Sequence, residues 1–188
     1  MNIILGSQSP RRRELMKGID LPFTAVNIDA DETYPSNLTA GDIPIYISRA
    51  KARAYANHLT DEDLLITADT IVWIESEMLG KPHNEEQAKQ MLRQLSGKTH
   101  QVYTGVTFLY KGQYDSLVDK TDVTFKTLSE EEIDYYVRTY QPFDKAGAYG
   151  VQEYIGYIGV TDMVGSYFNV MGFPIDRVYK QIKQYFSK

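Results

Sequence analysis

Apolar and polar positions divide the chain into alternating strands and helices. Residues 2–5 form a short apolar run closed by Gly6, the pattern of a buried strand. Ser9 and Pro10 have the chemistry of an N-cap and a first helical position, and Gly18 ends a helix of about two turns. Residues 24–28 are strand-like. Asp42 is placed to cap a helix reaching about His58, with Ile43, Tyr46, Ile47, Ala50 and Ala54 at helical spacing. Residues 64–74 are strongly β-prone, as in a central strand covered on both faces. Asn84 caps the next helix, whose buried face is Ala88, Met91, Leu92 and Leu95, and Gly97 stops it. Residues 101–110 and 113–127 read as a hairpin turning at Lys111-Gly112. Ser129 and Glu132 form a capping box for a helix burying Ile133, Tyr136, Val137 and Tyr140. A glycine-rich loop follows at 144–152, then a strand over 154–160. A closing helix from Pro174 or Ile175 turns Ile175, Val178, Ile182 and Tyr185 inward. This alternation, interrupted by a long hairpin, predicts an α/β fold with a mixed central sheet and flanking helices.

Length and composition narrow the class without naming it. A chain of 188 residues suits one domain, at most two lobes, with a sizeable core. The absence of cysteine excludes disulfides, zinc–thiolate sites, iron–sulfur clusters and a cysteine nucleophile, and fits a cytoplasmic protein. The first residues carry no basic segment before a short apolar run, so no signal peptide is expected. No run approaches the ~20 apolar residues of a membrane span. A net charge of −5 argues against a nucleic-acid partner but leaves room for a local basic pocket.

Four stretches carry candidate chemistry. "SQSPRRREL" sets Ser7, Ser9 and three arginines at a helix start, where free N–H groups and the dipole favour an anion. At about 100° per residue, at most two of Arg11, Arg12 and Arg13 can enter one pocket. Alone, the stretch is equally a capped helix with a solvated basic turn. "TADTIVW" puts Asp69 and Thr70 inside an apolar strand, where a carboxylate is costly unless paired or metal-bound. "NIDADETY" offers Asp29, Asp31 and Glu32, oxygen ligands suited to Mg²⁺ or Mn²⁺, though a solvated acidic loop reads the same way. "DKAGAYGVQ" has glycines that allow close backbone approach to a ligand. Lys51 and Lys81 read alone as surface lysines. The three histidines lack ligand spacing, and no Walker or dinucleotide fingerprint occurs.

Taken together the chain resembles the Maf family of nucleoside triphosphate pyrophosphatases. The matching stretches, in family order, are "SQSPRRREL", "DADE", "RAKARA", "TADTIVW", "LGKP", "MLRQLSGKTHQVYTGV", "VTFKTLSEEEIDYYV", "DKAGAYGVQ" and "GSYFNVMGFPI". The resemblance implies one domain over 1–188, elongated and two-lobed around a central cleft, similar to the inosine triphosphate pyrophosphatases. It implies hydrolysis of a nucleoside triphosphate between the α and β phosphates with a divalent cation, Mg²⁺, Mn²⁺ or Co²⁺. The family's catalytic carboxylate falls on Asp69, which with Glu32 would hold the metal. Substrate-binding positions fall on Ser7, Ser9, Arg11, Arg12, Lys51, Thr70, Lys81 and Gln152. Arg12, Thr70 and Gln152 resemble the branch acting on dTTP and UTP rather than the one acting on 7-methyl-GTP. The expected partner is the nucleotide itself, with no membrane or nucleic acid, and a homodimer agrees with related members. The family's association with septum formation also admits a nucleotide-binding regulator. One departure stands out: the family usually continues "GIQG", and here Glu153 follows Gln152.

Overall fold

A computed structural model describes residues 1–187. The elements are β1 (Asn2–Gly6), α1 (Pro10–Lys17), β2 (Phe23–Val26), α2 (Asp42–Tyr55), β3 (Asp63–Ile74), β4 (Glu77–Leu79) and α3 (Glu85–Leu95). They continue with β5 (Thr99–Tyr110), β6 (Gln113–Phe125), α4 (Glu130–Tyr140), α5 (Tyr154–Gly159), β7 (Val160–Val164), α6 (Tyr167–Val170) and α7 (Ile175–Phe186). Among the described residues the sheet has seven strands, in the order β2-β1-β3-β5-β6-β7 with β4 paired to β3. β1 runs parallel to β2 and β3, whereas β4 and β7 pair antiparallel to β3 and β6. The sheet is therefore mixed, as the sequence pattern predicts.

The chain forms two compact units. The first holds Met1–Thr70, Thr104–Asp119 and the segment from Gly172 onward; the second holds Ile71–Tyr103 and Lys120–Met171. In the first unit, one core joins Ile3 and Leu5 of β1, Leu64, Ile66 and Ala68 of β3, Val106 and Phe108 of β5, Met16 of α1 and the inner stripe of α7. A smaller cluster joins Leu65 to Leu109 and to Ala52 of α2. β3 is thus covered on both faces, which is why it reads as a nearly continuous apolar run. Gly105 allows α2 to lie against β5: a Cβ there would strike the Pro44 carbonyl group and the Ile45 nitrogen.

In the second unit, α3 buries the stripe expected of it and α4 buries Ile133, Tyr136 and Val137, with Asn84 and Ser129 as N-caps and a complete capping box at Ser129 and Glu132. His100 is fully buried there, with Nε2 2.7 Å from Tyr149 Oη and its ring edge-on to Phe125.

Several expectations need correction. Gly41, not Asp42, is the N-cap of α2, and Asp42 is its first residue. The helix ends at Tyr55, and residues 56–58 form one 3₁₀ turn. Tyr140 lies on the outer side of α4 and is exposed. Residues 154–159 are helical, and the strand begins only at Val160. Gly156 explains the difference: a Cβ there would collide with the Val151 carbonyl, so α5 is packed directly on the preceding turn. β4 went unforeseen because its hairpin turns at Glu75 and Ser76, both with positive φ but neither a glycine.

Burial holds the His100 imidazole at about 4, below its ordinary 6.5. Because the folded value is the lower one, stability is full above pH 6.5 and is lost as the pH falls towards 4. A gap of that size corresponds to about 3 kcal/mol. Urea unfolding of the parent protein should therefore lose more stability between pH 7 and 4.5 than that of His100→Gln. Equal losses in the two proteins would contradict this assignment.

Candidate active site

The site grows from the two-residue period of β3. Leu65, Thr67 and Asp69 share one face, and Leu64, Ile66, Ala68 and Thr70 share the other. The first face meets α2, where Thr67 Oγ1 donates to the Ser48 carbonyl at 2.7 Å. Lys51 lies one turn beyond Ser48 on the same side of the helix, and its Nζ donates to Asp69 Oδ1 at 2.9 Å. The same ammonium is 3.0 Å from Glu32 Oε1 on the segment after β2. The Lys51 and Asp69 side chains are 13% and 14% exposed, against 51% for Glu32. One cation thus sits between two carboxylates, with the better-shielded contact on the strand. Asp31 has a separate task, accepting the Thr33 N–H at 2.9 Å in a local turn.

The other face meets α1. Ser9 caps the helix by accepting the Arg12 N–H at 3.4 Å, and Ser7 Oγ accepts the Ser9 N–H at 3.2 Å. Arg12 stands four residues before the buried Met16, so both side chains leave the same side of α1. Its Nη1 donates to the Ala68 carbonyl at 2.8 Å, its Nη2 to Thr70 Oγ1 at 3.0 Å and its Nε to the Gly172 carbonyl at 2.8 Å. Thr70 Oγ1 also lies 2.9 Å from Thr104 Oγ1. Burial pushes Arg12 down to about 10, opposed by the charge of Asp69, so it stays cationic at neutral pH. Arg13 turns away, donating to the Ser7 carbonyl at 3.0 Å and to Asn27 Oδ1 at 3.1 Å. Arg11 is half-buried beside Arg12 and close enough to lower its basicity.

Ser7, Ser9, Arg11, Arg12, Glu32, Lys51, Asp69 and Thr70 therefore all belong to the first unit. Lys81 and Gln152 belong to the second. Lys81 is exposed on the segment after β4. Gln152 is half-buried in the turn before α5, and its Oε1 is shielded from solvent with no hydrogen-bond partner among the described residues. An amide oxygen in that state needs a donor from elsewhere.

Three participants carry no motif of their own in the sequence. Thr104 interrupts the apolar run of β5 much as Asp69 and Thr70 interrupt β3, so the same signal would have found it. The Ala68 and Gly172 carbonyls carry no side-chain signal at all. Gly172 has φ +104 and lies within 3.9 Å of Arg12 Nε measured from an added Cβ, so glycine keeps this carbonyl close to Arg12.

Among the described residues, no three histidine or acidic side chains are gathered as a metal cage. Asp69 and Glu32 nevertheless converge on one cation, the Lys51 ammonium. An oxygen-only pair of this kind fits a hard divalent ion, which takes one or two carboxylates and completes its shell from phosphate and water. No described helix is long and apolar enough to cross a membrane.

The chain is similar to known proteins along nearly its whole length. The chain is 54% identical to the dTTP/UTP pyrophosphatase of Phocaeicola vulgatus over 183 residues, covering 97% of this chain and 95% of that protein. Identity and coverage are the same for the dTTP/UTP pyrophosphatase of Bacteroides thetaiotaomicron. The solved structure of the Staphylococcus aureus Ham1 protein matches with a TM-score of 0.54 at 13% identity, covering 96% of this chain and all of that one, a likeness of fold. Residues 2–185 match the Maf-like protein family, and with the curated relatives at this identity the chain belongs to that family.

Proposed function

We propose that this protein hydrolyses dTTP and UTP between the α and β phosphates, releasing the nucleoside monophosphate and pyrophosphate. The observation that carries the reading is the Lys51 ammonium held between Asp69 and Glu32, with half-buried Arg12 close enough to feel both acids. The names of the relatives at 54% identity supply the substrate class.

The residues divide the work by their chemistry. Asp69 accepts a proton from the attacking water as the water oxygen bonds to the α-phosphorus. The bond from that phosphorus to the bridging oxygen breaks, and pyrophosphate leaves with its electron pair. Lys51 has three N–H donors and gives two to the acids, so a third is available to a phosphate oxygen. Arg12 gives three of its five N–H donors to Ala68, Thr70 and Gly172, which fixes the plane in which the other two point. Arg11 and the Ser7 and Ser9 hydroxyls lie at the same helix start and extend the anion site. A divalent cation held by Glu32 and Asp69 would neutralise phosphate charge and polarise a phosphoryl oxygen. Lys81 joins the phosphate-binding set by its charge.

Base choice is assigned to Gln152. Its unpartnered Oε1 accepts an imide N–H, and its Nε2 donates to the adjacent carbonyl. Uracil and thymine present that pair at N3 and O4. Cytosine presents the reverse and leaves the buried acceptor unmatched. Thr70, fixed against Arg12 and Thr104, sets the wall of the site near Arg12.

The overall test is pyrophosphate release from a panel of nucleoside triphosphates with Mg²⁺, Mn²⁺ and Co²⁺. dTTP and UTP should lead the panel. Tight nucleotide binding without pyrophosphate release would favour a regulatory role instead. Asp69→Asn should retain UTP binding in equilibrium dialysis while kcat falls by about 10²–10⁴-fold. A near-parental kcat would remove Asp69 from the chemistry. Gln152→Glu, which loses the donor and gains charge, should lower the UTP:CTP ratio of kcat/KM by about tenfold or more. An unchanged ratio would show that the base is read elsewhere.

A further inference from the structure

The loop before α5 contains a partly buried ionic network that the hydrolytic chemistry does not use. Gly150 to Glu153 form a four-residue turn, closed by the Glu153 N–H donating to the Gly150 carbonyl at 3.1 Å. Gln152 is its third residue. The Glu153 side chain folds back over the turn: a Cβ on Gly150 would lie 2.8 Å from its carboxyl carbon. One carboxylate oxygen, Oε2, accepts a short hydrogen bond from the Tyr136 hydroxyl of α4. The same hydroxyl oxygen accepts the Gly150 N–H at 3.0 Å. The other carboxylate oxygen is 3.1 Å from the ammonium of Lys145, a lysine only 9% exposed at its side chain, which also bonds Asp144 at 2.7 Å.

Both ends of the turn are therefore tied to one point. Gly150 reaches Tyr136 through its backbone, and Glu153 reaches Tyr136 and Lys145 through its side chain. Gln152, next to Glu153, has no bond of its own at Oε1. Its direction depends on the backbone, and the backbone is held by its neighbours. An ion pair as shielded as Lys145–Glu153, 9% and 19% exposed at the side chains, contributes little net stability, because desolvation offsets the attraction. What the network does supply is a single conformation. Burial and the Glu153 carboxylate both disfavour ionisation of Tyr136, so its hydroxyl remains a donor throughout the working pH range.

We infer that Tyr136, Glu153 and Lys145 are positioning residues for Gln152, and that they set pyrimidine selection without touching the nucleotide. This rests on the reading of Gln152 as the base-contacting residue. Tyr136→Phe keeps the ring and deletes the link. Glu153→Ala removes the carboxylate, and Glu153→Gln keeps an acceptor for Tyr136 while removing the charge facing Lys145.

The experiment measures kcat/KM for UTP and CTP, with thermal melting alongside, in these three variants and in Gln152→Glu. The UTP:CTP ratio should fall severalfold in Tyr136→Phe and Glu153→Ala and recover in large part in Glu153→Gln. If Gln152→Glu shifts the ratio while Tyr136→Phe and Glu153→Ala leave it at the parental value, the positioning role is overturned and the base reading stands. If Gln152→Glu also leaves it unchanged, the base reading fails and the positioning role fails with it. Lower melting temperatures with uniformly slower turnover and a constant ratio indicate ordinary structural support and overturn the inference. Should the variants not fold, amide hydrogen exchange in the parent protein decides. Strong protection of the Gly150 N–H supports the tie to Tyr136, and exchange at the rate of an open peptide overturns it.

Discussion

The contact between Lys51 and Asp69 is the constraint on which the site depends. A carboxylate on a strand covered on both faces requires a partner, because desolvation without one costs several kcal/mol. The partner must come from α2, since Asp69 shares the face of Leu65 and Thr67. That requirement fixes the depth and rotation of the helix. Thr67 ties its hydroxyl to the Ser48 carbonyl at 2.7 Å, and Gly105 removes the Cβ that would keep α2 off β5. The close packing of the helix and the pairing of the charges are one arrangement. Glu32 then completes it from the acidic segment after β2.

Arg12 answers the puzzle of three adjacent arginines. They sit together in sequence, but the helix turns each by about 100°, and their fates differ accordingly. Arg12, four residues before Met16, reaches the Ala68 carbonyl and Thr70 of β3. Arg13 braces the Ser7 carbonyl and Asn27 instead. The guanidinium of Arg12 is a strut before it is a ligand. Three of its donors organise Ala68, Thr70 and Gly172, the last of them 160 positions from Arg12 along the chain. A lysine could place a charge there but could not hold three acceptors in one plane.

The legible parts of the fold were those where local and tertiary preferences agree. Caps at Ser9, Asn84 and Ser129 and the inward stripes of α3 and α7 could be read because side-chain chemistry and periodicity give the same answer. α5 could not, because "YIGYIG" is strand-like in composition and its helical state is set by Gly156 lying on the Val151 carbonyl. The β3–β4 hairpin was hidden because its positive-φ turn uses Glu75 and Ser76. In the site, Asp69 announced itself as a charge inside an apolar run. The pairing of Lys51 with both acids did not, since a lysine on a helix looks solvated until its neighbours are known. Main-chain acceptors such as Ala68 and Gly172 are invisible to any reading of side chains.

The two polar clusters use buried charge in different ways. At Lys51 the acids share a cation whose third donor is available, so the cluster is arranged to receive an anion and loses little when it does. Around Glu153 each carboxylate oxygen has a partner within the protein, and Tyr136 both donates and accepts. Its contacts tie the turn to α4 and to Lys145. Its consequence is transmitted to Gln152, whose oxygen is the nearby group left unmatched. A braced turn beside an unmatched acceptor is the arrangement expected where geometry must be fixed before binding, because an amide free to turn could match uracil and cytosine equally by exchanging its donor and acceptor ends. Selectivity between those bases therefore requires that the amide be held, and the braced turn provides the means.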